Sequence, residues 1–533
     1  MMTRPVDRNA LIAALCDPHT YPHDADGVEL IETHISLVFL AGRWAYKLKK
    51  PVDLGFLDFS SLARRKHYCE EELRLNRRLA PGLYRDVVPI TRAGDGLCVG
   101  GTGEVVEYAV RMRRFEQADQ LDRQLADDQL TGDDMDKVAL HIAAFHAGAA
   151  IARSDTPWGS VAAVAKPVRD NFATLEPVLA NTPAAADLAR LARWRDLRQS
   201  ELAEAFEARR AAGFVRECHG DLHLRNMARV DGEIVAFDGI EFASELRWID
   251  ILSDSAFLLM DLVSRGRPDL GWRFLNGWLE RTGDYTGLPL LSWYLVYRHL
   301  VRAKVDAIRR AQADVQPAEA DTLMRRIRQH VALALDVIAP RSPAIIITHG
   351  LSGSGKSWLA HRLAAHLPAI AVRSDIERKR MHGLAETDRP SGPTLRALYA
   401  AQARRATYER LAALAGEITD AGYTVILDAA FLARGERDLI RAIARDRGLR
   451  FLTLAVSAEQ STLEQRIAER SIVGRDPSDA GLDVLHAQIA DYDPLEPDEL
   501  ADSIAVRTDR PLDPADLAGM IGRRIMEDSD RAH

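Results

Sequence analysis

This 533-residue chain is poor in cysteine, in aromatics and, among its cations, in lysine. Its four cysteines, Cys16, Cys69, Cys98 and Cys218, form no C-x-x-C pair. That spacing excludes a disulfide framework or a cysteine zinc site and fits a reducing compartment. Met1-Met2-Thr3-Arg4-Pro5-Val6-Asp7 lacks the apolar centre of a signal peptide, so a cytoplasmic location is expected. Apolar runs such as Ala256-Phe257-Leu258-Leu259-Met260 stop far short of the ~20 residues that span a bilayer, so no membrane partner is expected. The net charge of −8 argues against a surface that coats nucleic acid, although a local basic groove stays compatible with it. Nothing in the sequence fixes an oligomeric state. Only nine of the 70 basic residues are lysine, and three of those fall in Lys47-Leu48-Lys49-Lys50. Where arginine serves most cationic positions, each remaining lysine invites a reason.

What is present is two phosphate-handling signatures of unrelated design. The first is His219-Gly220-Asp221-Leu222-His223-Leu224-Arg225-Asn226, followed by Phe237-Asp238-Gly239. Its H-x-D-x-x-x-x-N spacing aims one carboxylate, Asp221, at an acceptor hydroxyl and one amide, Asn226, at a metal beside the same phosphates. Asp238 supplies the second metal ligand from the next strand end. An upstream lysine should reach the phosphates and be steadied by a glutamate on a helix. Lys47 and Glu72 suit those roles. Lys49 lies on the same strand face as Lys47 and competes with it, as Glu70 and Glu71 compete with Glu72.

The second signature is Gly350-Leu351-Ser352-Gly353-Ser354-Gly355-Lys356-Ser357, a P-loop after the β-branched run Ala344-Ile345-Ile346-Ile347-Thr348. Backbone N–H groups from Gly350, Ser352, Gly353, Ser354 and Gly355 cradle phosphate at a helix N-terminus. Lys356 reaches the β- and γ-phosphates, and Ser357 ligates Mg²⁺. Asp375 and Asp428 close the second and third strands, where ligands bind in such sheets. Arg466 and Arg470 share a helix face, with Arg475 following, as in a lid that carries guanidinium groups onto a transferring phosphate. A hydrolytic ATPase would need a glutamate beside Asp428; Ala429-Ala430 stands there instead.

The expected architecture is an α+β bilobal protein-kinase-like domain (residues 1–338), then a linker (339–343) and an α/β doubly wound P-loop domain (344–525). The first lobe spans about 28–115 and the second 116–338. Strands are expected at Glu29–Leu40, Trp44–Leu48, Val87–Ile90, Leu97–Val99 and Val105–Met112, with a helix over Arg64–Leu79. Further helices are expected at Asp133–Ile151, Ala185–Arg210 and from Asp250 to Val337. Helix and strand then alternate from Trp358 to Arg470, including one helix over Leu395–Ala421.

His-Gly-Asp-x-His-x-x-Asn, with Tyr46-Lys47-Leu48-Lys49-Lys50-Pro51, Gly55-Phe56-Leu57-Asp58-Phe59 and Asp250-x-x-x-Asp254, resembles the aminoglycoside phosphotransferase family over roughly residues 30–340. The resemblance implies ATP near the Val106–Phe115 connection and a small-molecule acceptor. It departs from the wider kinase pattern in lacking a G-x-G-x-x-G loop before Lys47. Residues 344 to about 510 resemble P-loop small-molecule and polynucleotide kinases, zeta toxins included. There Ser374-Asp375-x-x-Arg378 implies that Asp375 is the base, Arg378 a substrate contact, and Asp428 a ligand that orders metal or water. Together the resemblances imply a bifunctional ATP- and Mg²⁺-dependent phosphotransferase acting on hydroxyls of small molecules. Two competing expectations are an ATP-sensing kinase-like domain that regulates the P-loop kinase, and a polynucleotide 5′-hydroxyl kinase in the C-terminal domain.

Overall fold

The computed structural model describes residues 7–529 except 54, 56, 95, 474–477, 479–480 and 491. The sequence-proposed residues Phe56 and Arg475 therefore lie outside the described residues. Two compact units emerge. One comprises residues 1–169 and 203–258, the other 170–202 and 259–533. The linker expected at 339–343 thus lies inside the second unit.

In the first unit, six antiparallel strands pair in the order Val28–Glu32, Ser36–Ala41, Trp44–Lys49, Val105–Arg113, Tyr84–Ala93, Gly96–Val99. The single strand expected over Glu29–Leu40 is two strands. Thr33 breaks it: its N–H donates to the Ser36 carbonyl at 3.0 Å, and its Oγ1 accepts the Ser36 N–H at 3.0 Å. The helix Leu62–Asn76 starts where Ser61 Oγ accepts the Arg64 N–H, and it buries Cys69, Glu72 and Leu75. Alternation puts Lys47 and Lys49 on one strand face, the side that this helix covers. The expected helix Ala185–Arg210 is interrupted at Leu202 (φ −91°, ψ 0°) and continues as Ala203–Ala211.

In the second unit, a five-stranded parallel sheet runs Ile370–Arg373, Val425–Asp428, Ala344–His349, Arg450–Ser457, Ser503–Arg507. Ala344–His349 is buried along its whole length, as a β-branched central strand covered on both faces must be. Leu359, Leu363, Ile346, Leu452 and Ile521 belong to the core that lines it. The strand at Ser503–Arg507 was not anticipated, and the helix expected over Leu395–Ala421 is two, broken at Ala400 by extended backbone (ψ 150°). Asp375 sits in the first turn of a short helix, Ser374–Met381, directly after its strand. No helix among the described residues is long and apolar enough to cross a membrane.

The helix Pro268–Thr282 lies against the edge strand Ile370–Arg373. Asn276 Nδ2 donates to the Ala369 carbonyl at 2.9 Å, and Asn276 Oδ1 accepts the Ala371 N–H at 2.7 Å. One side chain therefore satisfies an edge that would otherwise face no partner. Asn276→Ala should lower the stability of this unit by about 2 kcal/mol, read as a shift in its denaturant midpoint.

His299 and His330 stand Nδ1 to Nδ1 at 3.2 Å in the same unit. Burial, then His330, lowers His299 to about 3. Burial, then Arg302 and Arg326, lowers His330 to about 4. Both are neutral in the fold, whereas the unfolded chain takes up protons below its ordinary pKa near 6.5. Their stabilisation is complete above about pH 6.5 and is lost as pH falls toward 4, by about 1.4 kcal/mol per unit for each histidine. Denaturant unfolding at pH 7 and pH 5 should show this loss, and a His299→Leu/His330→Leu variant should flatten it.

Candidate functional site

The loop from His219 to Asn226 is held by a buried carboxylate. Asp254 Oδ2 accepts the His219 N–H at 3.0 Å, and its Oδ1 accepts the Gly220 N–H at 2.9 Å. Gly220 adopts φ +85°, and a Cβ there would lie 2.7 Å from the Leu246 carbonyl oxygen, so only glycine fits. His219 is buried, and burial lowers its pKa, keeping it neutral. Its Nε2 lies 2.9 Å from the Phe237 carbonyl and its Nδ1 accepts the Asp221 N–H at 3.3 Å, which assigns the proton to Nε2. The imidazole thus ties the loop to the strand end that carries Asp238.

Asn226 Nδ2 donates to Asp221 Oδ2 at 2.9 Å and to the Asp221 carbonyl at 3.0 Å. This fixes the Asp221 carboxylate against the Asn226 amide. Asp238 has φ +61°, a strained region for a non-glycine residue. Its N–H donates to the Tyr84 hydroxyl at 3.1 Å, and the next N–H, of Gly239, donates to Asn76 Oδ1 at 2.8 Å. The backbone is therefore pinned at a conformation that it would not choose alone.

Lys47 Nζ donates to Glu72 Oε1 at 2.8 Å and pairs with Asp238. Lys49 Nζ donates to Glu72 Oε2 at 2.7 Å and pairs with Glu241. The two lysines differ in position: Lys47 faces Asp238, while Lys49 is fully enclosed. Glu72 receives both. Glu71 instead pairs with Arg74, and Glu70 with Lys66 on the surface. Burial would raise the Glu72 carboxyl, but Lys47 and then Lys49 outweigh it and hold it far below the usual range. Burial would likewise neutralise Lys47, yet Asp238 and Glu72 keep it charged. Glu241 escaped the sequence reading. Its only signal is its place three residues after Asp238.

In the second unit the P-loop glycines are dictated by space. Gly350 and Gly353 have φ of +153° and +81°, and a Cβ would meet the Val456 carbonyl oxygen at 2.1 Å or the Leu463 carbonyl oxygen at 2.7 Å. A cavity of about 330 Å³ opens over the loop. It brings together Lys356, Ser357, Asp375, Arg378, Asp428, Arg466 and Arg470, joined by Arg373, Tyr399 and Tyr408, which the sequence reading did not single out. Lys356 Nζ donates to the Leu351 carbonyl at 2.8 Å. The Ser352 N–H donates to Gln488 Oε1 at 2.8 Å, and the Gly350 and Ser354 N–H groups donate to the Ala430 and Leu351 carbonyls at 3.1 and 3.2 Å, so three of the five N–H groups expected to cradle phosphate have protein partners in this structure. The buried Ser354 hydroxyl has no partner.

Arg378 Nη1 donates to Asp375 Oδ1 at 2.7 Å. Burial would raise Asp375; Arg378 and Arg373 reverse that and keep it ionised. Burial raises Asp428, against the pull of Arg373, the Ser357 hydroxyl and Lys356. Ser357 and Asp428 are thus neighbouring hard oxygen donors, a set that fits Mg²⁺. Arg466 Nη1 donates to Thr508 Oγ1 at 2.8 Å and to the Gly353 carbonyl at 3.2 Å, and Nη2 to the Thr508 carbonyl at 2.9 Å. Its guanidinium, on the cavity wall, ties the loop to Thr508, while Arg470 adds to the burial that lowers Lys356.

With this geometry in hand, comparison with known proteins places the chain. It is 30% identical over 478 residues to the uncharacterized protein Rv2004c of Mycobacterium tuberculosis, covering 90% of this chain and 93% of that one. The chain belongs to that protein's family. A family profile described as an AAA domain matches residues 345–495. Among solved structures, the chain is similar to a gluconokinase from Sinorhizobium meliloti (24% identity, 36% of this chain and 99% of that one, TM-score 0.25). It is also similar to the amicoumacin kinase hAmiN (14% identity, 62% and 94%, TM-score 0.38).

Lys356 carries a pH dependence. Burial lowers it to about 8, with Asp428 and Asp375 acting against that. A bound polyphosphate would favour the charged form, so nucleotide affinity should be complete below about pH 8 and fall by up to about tenfold per unit above it. Calorimetric titration in buffers of different ionisation heat should register proton uptake. Lys356→Arg, charged throughout, should abolish that uptake.

Proposed function

We propose that the chain is an ATP- and Mg²⁺-dependent phosphotransferase with two sites, each moving the γ-phosphate of ATP to a hydroxyl of a small molecule. The observation that carries this reading is the convergence of Asp375, Lys356, Arg470, Asp428 and Ser357 on one cavity, with Arg378 fixing the aspartate. An ionised carboxylate, a phosphate loop and a metal-fitting oxygen pair are the three parts that phosphoryl transfer requires.

At this site Asp375 accepts the proton of the acceptor hydroxyl as its oxygen bonds to the γ-phosphorus and the bond to the ADP oxygen breaks. Lys356 and Arg470 offset the charge on the phosphoryl oxygens. Arg466 keeps the loop in register through the Gly353 carbonyl. Arg378 holds Asp375 on one side and offers its remaining N–H groups to the acceptor. Mg²⁺, when bound by Ser357 and Asp428, would neutralise the β- and γ-phosphates.

The kinase-like unit supports the same chemistry with other parts. Asp221 is the base for its acceptor. Lys47, kept charged by Glu72, contacts the nucleotide phosphates and would exchange Asp238 for them. The Asn226 amide oxygen and Asp238 would hold Mg²⁺, again two hard oxygens suited to it. The strained φ of Asp238 supports this, because backbone strain held by surrounding hydrogen bonds concentrates at working sites.

The test is a screen of ³²P transfer from ATP to sugars, polyols, amino alcohols and 5′-hydroxyl oligonucleotides. Asp221→Ala and Asp375→Asn should each remove one acceptor's labelling by about 100-fold or more while sparing the other's. Loss of both labels in either single variant would contradict two independent sites. Labelling of oligonucleotides alone would reassign the P-loop site to polynucleotide ends.

A further inference from the structure

The P-loop cavity includes an arginine to which neither signature assigns a role. Arg373 ends the edge strand, and its Nε stands 3.5 Å from Asp428 Oδ2. Its Nη1 stands 3.6 Å from Glu280 Oε1, on the helix Pro268–Thr282. One guanidinium therefore stands at nearly equal distance from an acid on the metal side of the site and an acid outside both signatures, and it acts on Asp375 as well.

This helix is fastened where it must be for that placement to hold. Asn276, one turn before Glu280, clamps the backbone on both sides of Ile370 in the strand that ends at Arg373. The Glu280 carbonyl accepts from Arg380, and Arg281 faces Glu386 at 3.6 Å. Glu280 is largely enclosed; burial raises its carboxyl and Arg373 is the first cation to act against that, across a gap that water screens little.

A guanidinium beside Asp428 competes with a divalent cation for the same oxygens. Without a second acid, Arg373 would close onto Asp428 as a direct pair, the geometry that arginine and carboxylate favour. We infer that Glu280 is a positioning residue that draws Arg373 off Asp428 and so keeps this carboxylate open to Mg²⁺. This rests on the proposed P-loop reading and extends it to a helix that precedes the P-loop domain in the sequence.

The test uses the full chain in a Lys47→Ala background, so that only the P-loop site reads out, with a fluorescent ATP analogue titrated against Mg²⁺. Glu280→Gln keeps the shape and removes the charge. It should raise the Mg²⁺ midpoint about fivefold or more and leave Mg²⁺-free nucleotide binding unchanged. Arg373→Gln should lower the midpoint. In the Arg373→Gln background, Glu280→Gln should have no further effect, because its action passes through the arginine. An unmoved midpoint in Glu280→Gln, or an equal shift with and without Arg373, overturns the inference. If Glu280→Gln proves too unstable to assay, Arg373→Gln decides alone: a midpoint that does not fall overturns it. A fluorescence signal that Lys356→Ala fails to abolish would instead overturn the P-loop reading, and this inference with it.

Discussion

A lysine ammonium withdrawn from water keeps its proton only while carboxylates compensate for the lost hydration. Both sites of this chain are built around that constraint and meet it in opposite ways. Lys47 stands against Glu72 and Asp238, and its charge is secured well beyond physiological pH. Lys356 has Asp428 and Asp375 only at longer range, with its ammonium donated to a carbonyl of its own loop, and burial wins. On the proposed function, the first arrangement holds a charge that phosphates would take over from Asp238, and the second leaves the charge to be completed by the phosphates themselves. The remaining acids follow from this. Glu241 is present because Glu72, shared between two lysines, cannot neutralise Lys49 as well.

The backbone is subject to an equally strict rule. In both candidate sites the motif residues lie on or beside short connections after strands, and such connections hold their shape only if their N–H and C=O groups are satisfied. Asp254 does this for the catalytic loop by accepting two successive N–H groups, and Asn76 and Tyr84 do it around Asp238. In the P-loop the work falls to Thr508 and Arg466, which occupy the Ser354 and Gly353 carbonyls, while the Gly350 and Ser354 N–H groups donate to the Ala430 and Leu351 carbonyls.

The spacing of local motifs was readable because the chemistry fixes it within a few residues. His219 to Asn226, Gly350 to Ser357, and Asp375 with Arg378 all fall into this class. The choice between Lys47 and Lys49 was not readable, since a strand puts both on one face and only the depth of the covering helix separates them. Glu241, Arg373 and Glu280 were invisible for a related reason. Each matters through a partner 30 to 200 positions away or on another element, and an isolated charge in a sequence carries no record of what it meets. The misjudged elements share a cause: Thr33, Leu202 and Ala400 interrupt apolar patterns without glycine or proline to announce the break.

The bias toward arginine gains a physical meaning in this frame. Buried structural pairs use arginine: Arg209 with Asp250 and Arg437 with Glu499, each a planar fork on a carboxylate, and Arg65, whose Nε meets Glu107 while its Nη1 holds the Phe59 and Ser60 carbonyls. A fork of that kind is permanently charged and directionally fixed, which suits a brace. Lysine is kept where the cation must be compact. Lys47 and Lys49 share the two oxygens of one glutamate, an arrangement that two guanidinium groups could not fit, and Lys356 donates to the Leu351 carbonyl of its own loop. Lys379 turns two carbonyls, of Glu386 and Asp388, around a single nitrogen. Scarcity of lysine is thus a consequence of division of labour between the two cations, and the few lysines that remain buried mark the places where geometry leaves no room for a fork.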